Sequence, residues 1–193
     1  SALRDLTRGL RLVEHDLSPA AGKSRARLSS FAAMVMWGQD RPRRALQQAQ
    51  RARDYARIAN EKLSLGRALI VLDLARIPLE GPGSGEYLQE ALALFEDLGD
   101  LRMQASTRNN LGFLNAIACR WDEAVQWLES GRDLYVRSGD AVGGAYAALN
   151  TGEILVNQRR YDEAEAVLND ALRILRARAP ELAKYARKHG QRV

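Results

Sequence analysis

The chain has 193 residues, 46% hydrophobic and 27% charged, with a net charge of +5, a balance expected of a soluble folded protein rather than a disordered one. No apolar run approaches the ~18 residues of a membrane span, and Ser1 to Ser18 carries too many Arg, Asp and Glu for a signal peptide. The single cysteine, Cys119, excludes an intrachain disulfide, points to a reducing cytoplasm and, with only two His, nearly excludes a His/Cys metal site.

The charge is uneven. Residues 1–60 carry 12 basic and 5 acidic side chains, residues 61–140 carry 8 and 13, and residues 141–193 carry 9 and 6. Arginine supplies 25 of the 29 basic groups, a bias that a GC-rich bacterial genome also produces. The first residue is Ser1 rather than Met, as expected of a piece of a longer protein.

Ala2 to Asp16 has helical apolar spacing and is predicted as a leading half-repeat within residues 1–22. Gly22-Lys23-Ser24 matches the end of a phosphate-binding loop. That loop needs Gly at position 17, where this chain has Leu, and no strand precedes it, so an interhelix linker is predicted. Phe31 to Gly38 belongs to the next helix. Asp40 is expected to cap the one after it, with Pro42 in its first turn. Arg41, Arg43, Arg44, Arg51, Arg53 and Arg57 cluster on that helix with only Tyr55 among them. A solvated face is favoured over a nucleic-acid or acidic-partner surface.

Gly81-Pro82-Gly83-Ser84-Gly85 is predicted as a loop open to contact or cleavage. Helices are expected from Leu101 to Cys119 and from Asp122 to Gly139, with Cys119 as a small core residue. Ala141 to Asn157 and the stretch after Asp162 repeat the plan. Asp122 and Asp162 are expected to cap the second helix of each pair, and Asp140 the first helix of the last pair. Pro180 opens a last short helix, Glu181 to Lys188, with Leu182, Tyr185 and Ala186 on one face. No stretch alternates polar and apolar residues, so no strand is predicted.

The decisive pattern is an echo at 40 residues. Trp121-Asp122-Glu123-Ala124 returns as Tyr161-Asp162-Glu163-Ala164, Asn110-Leu111-Gly112 as Asn150-Thr151-Gly152, and Gly99-Asp100 as Gly139-Asp140. A fixed period of this size means one supersecondary unit used several times and stacked. Asn60, 39 residues before Gly99, carries the register back, and Ala33 and Leu72 stand where the later copies have Gly112 and Gly152. The small residues let the first and second helix of each pair, A and B, approach closely. Leu128/Leu168 and Trp121/Tyr161 fill the space between layers.

These motifs resemble the tetratricopeptide repeat over roughly residues 23–178, in its longer subclass of about 40 residues. The resemblance implies an all-α, right-handed α-solenoid of about four helix–turn–helix repeats with flanking helices. Repeat 1 would be 23–60, repeat 2 61–100, repeat 3 101–140, repeat 4 141–178, and a capping helix 179–193, all one domain. Such arrays are similar to the C-terminal regions of bacterial LuxR-type regulators with a signal-transduction ATPase module and of class III adenylate/guanylate cyclases.

The resemblance also implies a groove lined by the A helices. Arg27, Ser30, Met34 and Trp37 would line it in repeat 1, and Leu69, Asp73 and Arg76 in repeat 2. Asn109, Asn110 and Phe113 would follow in repeat 3, and Tyr146, Asn150, Glu153 and Asn157 in repeat 4. Asn110 and Asn150 stand out, because amides one repeat apart suit the backbone of an extended peptide. His15 and His189 have no partners suggesting a triad, and Asp122-Glu123 do not converge on a substrate. The expectation is a non-catalytic, cofactor-free, cytoplasmic protein–protein interaction scaffold without membrane contact, regulatory within a larger bacterial signalling or transcription-regulatory protein. Its partner would be a protein, a peptide or another domain of the same chain. Homodimerisation is left open, and nucleic acid or an acidic partner on the Arg-rich N-terminal repeats is the alternative.

Overall fold

The computed structural model describes residues 2–178. Among them are nine helices and no strand: α1 (Ala2–Leu12), α2 (Pro19–Gly38), α3 (Pro42–Ile58), α4 (Lys62–Glu80), α5 (Glu86–Asp97), α6 (Leu101–Ile117), α7 (Trp121–Arg137), α8 (Ala141–Asn157) and α9 (Tyr161–Arg178). They divide into two compact units, Ser1–Gly99 and Asp100–Val193. In the first, α1 packs on α2, α2 on α3, α3 on α4 and α4 on α5, and α2 also meets α4. In the second, α6 packs on α7, α7 on α8 and α8 on α9, and α6 also meets α8. The expected C-terminal cap over 179–193 and His189 lie outside the described residues.

The helices end where the backbone turns left-handed. Gly99 (φ 65°) and Gly139 (φ 73°) close α5 and α7, and Asn60 (φ 49°) closes α3. Asp40, Cys119 and Arg159 take the same conformation between α2 and α3, α6 and α7, and α8 and α9. After each of these three, the next N–H reaches back to the helix. Arg41 N–H donates to Met36 O at 3.1 Å, Arg120 to Asn115 O at 2.9 Å, and Arg160 to Leu155 O at 2.9 Å. These bonds compensate the cost of a left-handed non-glycine residue, about 1–2 kcal/mol.

Several local expectations change. Asp40 is the left-handed residue and Arg41 the N-cap of α3. The α7 helix starts at Trp121, so Asp122 lies inside its first turn and Arg120 is the N-cap; α9 starts at Tyr161, so Asp162 is inside as well. Cys119 is exposed on the turn rather than in the core, because its left-handed position points it away from the helix pair. The first helix stops at Leu12, and Gly22-Lys23-Ser24 lies within α2, which Ser18 caps through Ala21 N–H at 3.2 Å. Asp100 and Asp140 cap α6 and α8 through Met103 N–H (3.0 Å) and Gly143 N–H (2.9 Å).

Packing inside each pair turns on one position of helix A, thirteen residues after the preceding left-handed turn residue. In α6 and α8 it is Gly112 and Gly152. A Cβ at 112 would stand 2.6 Å from Leu128 Cγ, and one at 152 would stand 2.5 Å from Leu168 Cδ2. Buried Leu128 and half-buried Leu168 thus press on bare backbone.

Counted the same way, the position in α4 is Asp73 and not Leu72, since the step from Asn60 to Gly99 is 39 residues. Asp73 is 7% exposed, and its Oδ2 accepts from Leu88 N–H at 2.8 Å. Leu88 is the counterpart of Leu128. The N-cap of α5 is Gly85, which has no side chain to offer, so Asp73 caps α5 from the neighbouring helix. Two turns earlier on α4, Gly66 gives way to buried Phe95, with a Cβ there standing 2.4 Å from Cζ.

Burial pushes the Asp73 carboxyl above its usual range, against the pull of the Leu88 hydrogen bond and of Arg76. Glu61, the N-cap of α4, is also penalised by burial. Hydrogen bonding from Ser64 and the charge of Arg27 outweigh that penalty and hold it below its usual range.

Gly152→Val is expected to cost about 1–3 kcal/mol through overpacking. In the double variant with Leu168→Ala the two costs should sum to more than the measured loss in urea denaturation. Strict additivity would mean that this contact does not set the helix separation.

The two carboxyls predict opposite pH trends. The folded state holds a proton on Asp73 more tightly than the unfolded chain does. Its contribution is therefore fullest below the ordinary carboxyl pKa and declines as pH rises through the raised value. Glu61 contributes above the ordinary value and loses that contribution as pH falls through its lowered one. Relative to wild type, Asp73→Asn should gain stability from acid to neutral pH and Glu61→Gln should lose it. Thermal melts across a pH series check this, and parallel curves for all three proteins would contradict it.

Candidate functional site

In the second unit the exposed edges of α6 and α8 carry a polar and aromatic set. Asn150 Nδ2 donates to Asn109 Oδ1 at 3.0 Å, joining the two A helices amide to amide. Asn110 lies one residue along on α6, half-buried like both members of the pair. The sequence singles out Asn110 with Asn150. The structure pairs Asn150 with Asn109 instead, leaving a donor on Asn109 and an acceptor on Asn150. Around them Phe113 is 42% and Tyr146 37% exposed, and Glu153 and Asn157 are exposed.

The first unit has different chemistry on its A helices. Arg27 is exposed, with Nη2 3.5 Å from Glu61 Oε1. Met34 is 42% exposed and Trp37 half-buried. Ser30 is buried and donates to Arg27 O at 2.9 Å, and Leu69 is buried in α4, so neither presents its side chain at the surface. Asp73 turns inward to α5, so its expected place on an open groove gives way to a capping position. Arg76 lies over the Tyr87 ring at 4.9 Å, with Nε 4.0 Å from Glu80.

Sequence reasoning missed Phe31 and Arg67. Phe31 is 43% exposed, and the Arg67 guanidinium stacks over its ring at 4.6 Å. Phe31 lies nine residues before the left-handed Asp40, as Asn110 lies before Cys119 and Asn150 before Arg159. Counting back from the left-handed residue would have found it. Counted forward, eleven residues after the preceding left-handed residue as Asn110 and Asn150 are after Gly99 and Gly139, α4 has Val71, which is buried.

The two groups whose protonation burial shifts upward, Asp73 and Tyr135, serve helix packing. Burial raises the Tyr135 phenol against a hydrogen bond with Ser106, just as Asp73 is raised while capping α5. Among the described residues no group of three or more His, Cys, Asp and Glu is placed to hold a metal ion. No described helix is long and apolar enough to cross a membrane.

Comparison with known proteins agrees with this architecture. Residues 103–177 match the model of the tetratricopeptide repeat. No curated protein matches the chain. Among solved structures it is similar to a Rap protein complexed with competence and sporulation factor, with a TM-score of 0.74 and 14% identity over 79% of this chain and 43% of that one. It is similar to the apo form of RapI, with a TM-score of 0.72 and 16% identity over 91% and 62%. It is also similar to BtubC from P. vanneervenii, with a TM-score of 0.57 and 20% identity over 91% and 89%. The chain spans less than two thirds of the length of either Rap protein. At these identities the likeness shows the fold, an all-α array of tetratricopeptide-like helix pairs.

Proposed function

We propose that this protein is a non-catalytic protein–protein interaction scaffold that holds an extended peptide or protein segment against its A helices. The observation that carries this reading is the Asn109–Asn150 amide pair with Asn110 beside it, flanked by exposed Phe113 and Tyr146. The pair leaves amide donors on Asn109 and the carbonyl acceptor of Asn150 unused by this bond, the complement of a peptide backbone. The two aromatic rings offer apolar surface for a ligand side chain. Glu153 and Asn157 extend the station on α8, and Arg27, Met34 and Trp37 form its counterpart on α2. Arg76 and Asp73 act through the α4–α5 junction.

A Rap protein of the same fold was solved with a bound factor, which supports a binding role for arrays of this kind. The proposal includes a cytoplasmic setting and a regulatory role within a larger bacterial signalling or transcription-regulatory protein. There the array would contact a partner or another domain of the same chain and hold an ATPase or cyclase module in check. The 40-residue period and its resemblance to such arrays support this part of the reading.

Peptides selected for binding to the full chain from a random library provide the test, with fluorescence anisotropy as the readout. Asn110→Ala with Asn150→Ala should weaken binding by about tenfold or more. The loss of the Asn109 hydrogen bond should cost only about 1 kcal/mol of stability. Equal affinity of wild type and double variant for every selected peptide would sink the assignment.

A further inference from the structure

The B helices of three repeats open on one pattern with one difference in charge. Arg120-Trp121-Asp122-Glu123-Ala124 and Arg160-Tyr161-Asp162-Glu163-Ala164 correspond to Arg41-Pro42-Arg43-Arg44-Ala45. The register is secure, because Ala45, Ala124 and Ala164 are all buried against their A helices. Two carboxylates in the later repeats are thus two guanidiniums in the first.

Folding alone favours the carboxylates. The first turn of a helix carries partial positive charge, so Asp and Glu there are stabilising and Arg is unfavourable. Nothing offsets this in α3, whose first turn has no acidic residue and whose N-cap, Arg41, makes no side-chain capping bond. No carboxylate among the described residues pairs with Arg41, Arg43 or Arg44. Further along the helix Arg53 bonds Asp54 at 2.9 Å and Arg57 bonds Glu90 at 3.2 Å. The uncompensated positive charge is therefore densest at the first turn. There the three arginines line a shallow depression together with Pro42 and with Leu79 from α4.

We propose that this depression is a docking site for an acidic protein segment, distinct from the A-helix face. Three guanidiniums within one helical turn suit clustered carboxylates, which Arg binds bidentately. Pro42 and Leu79 add apolar surface for an aliphatic side chain between the acidic ones. Nucleic acid fits less well. The depression has no aromatic ring for base stacking. Neutralisation of Arg53 and Arg57 also breaks the track of charge that a phosphate backbone follows.

The probe is a labelled peptide of alternating glutamate and leucine, titrated into the full chain by fluorescence anisotropy. Wild type should bind it, more weakly as salt rises. Arg43→Asp with Arg44→Glu, which copies the later repeats, should bind roughly tenfold or more weakly. The same variant should melt a few degrees higher, because the helix end gains favourable charges. Binding lost together with a lower melting temperature would assign the arginines to the fold and overturn the proposal. So would absence of binding by wild type, or tighter binding of a labelled single-stranded oligonucleotide than of the peptide. Arg4→Glu with Arg8→Glu on α1 makes the same charge change elsewhere and should leave affinity within about twofold. An equal loss there would reduce the effect to net charge and also overturn it. Asn110→Ala with Asn150→Ala should not change binding of this peptide, and a loss there would place the acidic segment on the A helices instead.

Discussion

Each helix pair depends on how closely its two helices can approach at one position. In α6 and α8 that position is glycine, and a leucine of the partner helix sits on its backbone. A side chain there would collide within a van der Waals radius, so the glycine sets the helix separation. Interiors are close-packed, and a separation fixed at one point propagates to the next helix. Tyr135 shows the consequence. It packs against Gly143 at the start of α8, where a Cβ would stand 2.4 Å from its Cε1, while its hydroxyl hydrogen-bonds with Ser106 of α6. One residue thus ties three helices together. In the first unit Phe95 takes the corresponding place over Gly66, without a hydroxyl.

Asp73 shows the same constraint met by other means. With a carboxylate in place of glycine, the partner leucine cannot press on the backbone, and α5 instead turns its N-terminus toward helix A. The Gly81–Gly85 loop has the freedom to allow this, with Gly81 at φ 86° and Gly85 at φ 79°. Part of the desolvation cost of the carboxylate is offset by a helix end with no cap of its own. Loop composition and buried acid therefore belong together, and neither makes structural sense alone.

Much of the fold was legible because periodicity is a long-range signal. Three landmarks 40 residues apart place α6 to α9 and the glycine contacts without any knowledge of contacts between helices. What failed was local. Asp122 and Asp162 look like caps because Asp is a good cap by residue type. The backbone reverses at Cys119 and Arg159, however, and leaves the cap position to Arg120 and Arg160. Cys119 looks like a core residue because thiols are usually buried, but turn geometry outranks residue preference. Asp73 was misplaced by one position, and one position rotates a helical residue by about 100°, enough to move it from core to groove. On the candidate site the groove residues could be named from resemblance. The Asn109–Asn150 bond could not, since adjacent Asn residues differ only in where helix packing turns them.

The same register that positions the core also makes the surface comparable from repeat to repeat. At one station the chain has Phe31, Val71, Asn110 and Asn150, and the two units accordingly present unlike chemistry. An aromatic ring under a guanidinium offers apolar and cationic contact, whereas paired amides offer hydrogen bonds independent of ligand side chains. Both surfaces hang on helices whose spacing is set elsewhere, by glycine and aspartate positions that never reach the surface. Substitutions at the stations can therefore change what is bound while leaving the frame intact. Substitutions at Gly112, Gly152 or Asp73 must move every station on the helix they carry.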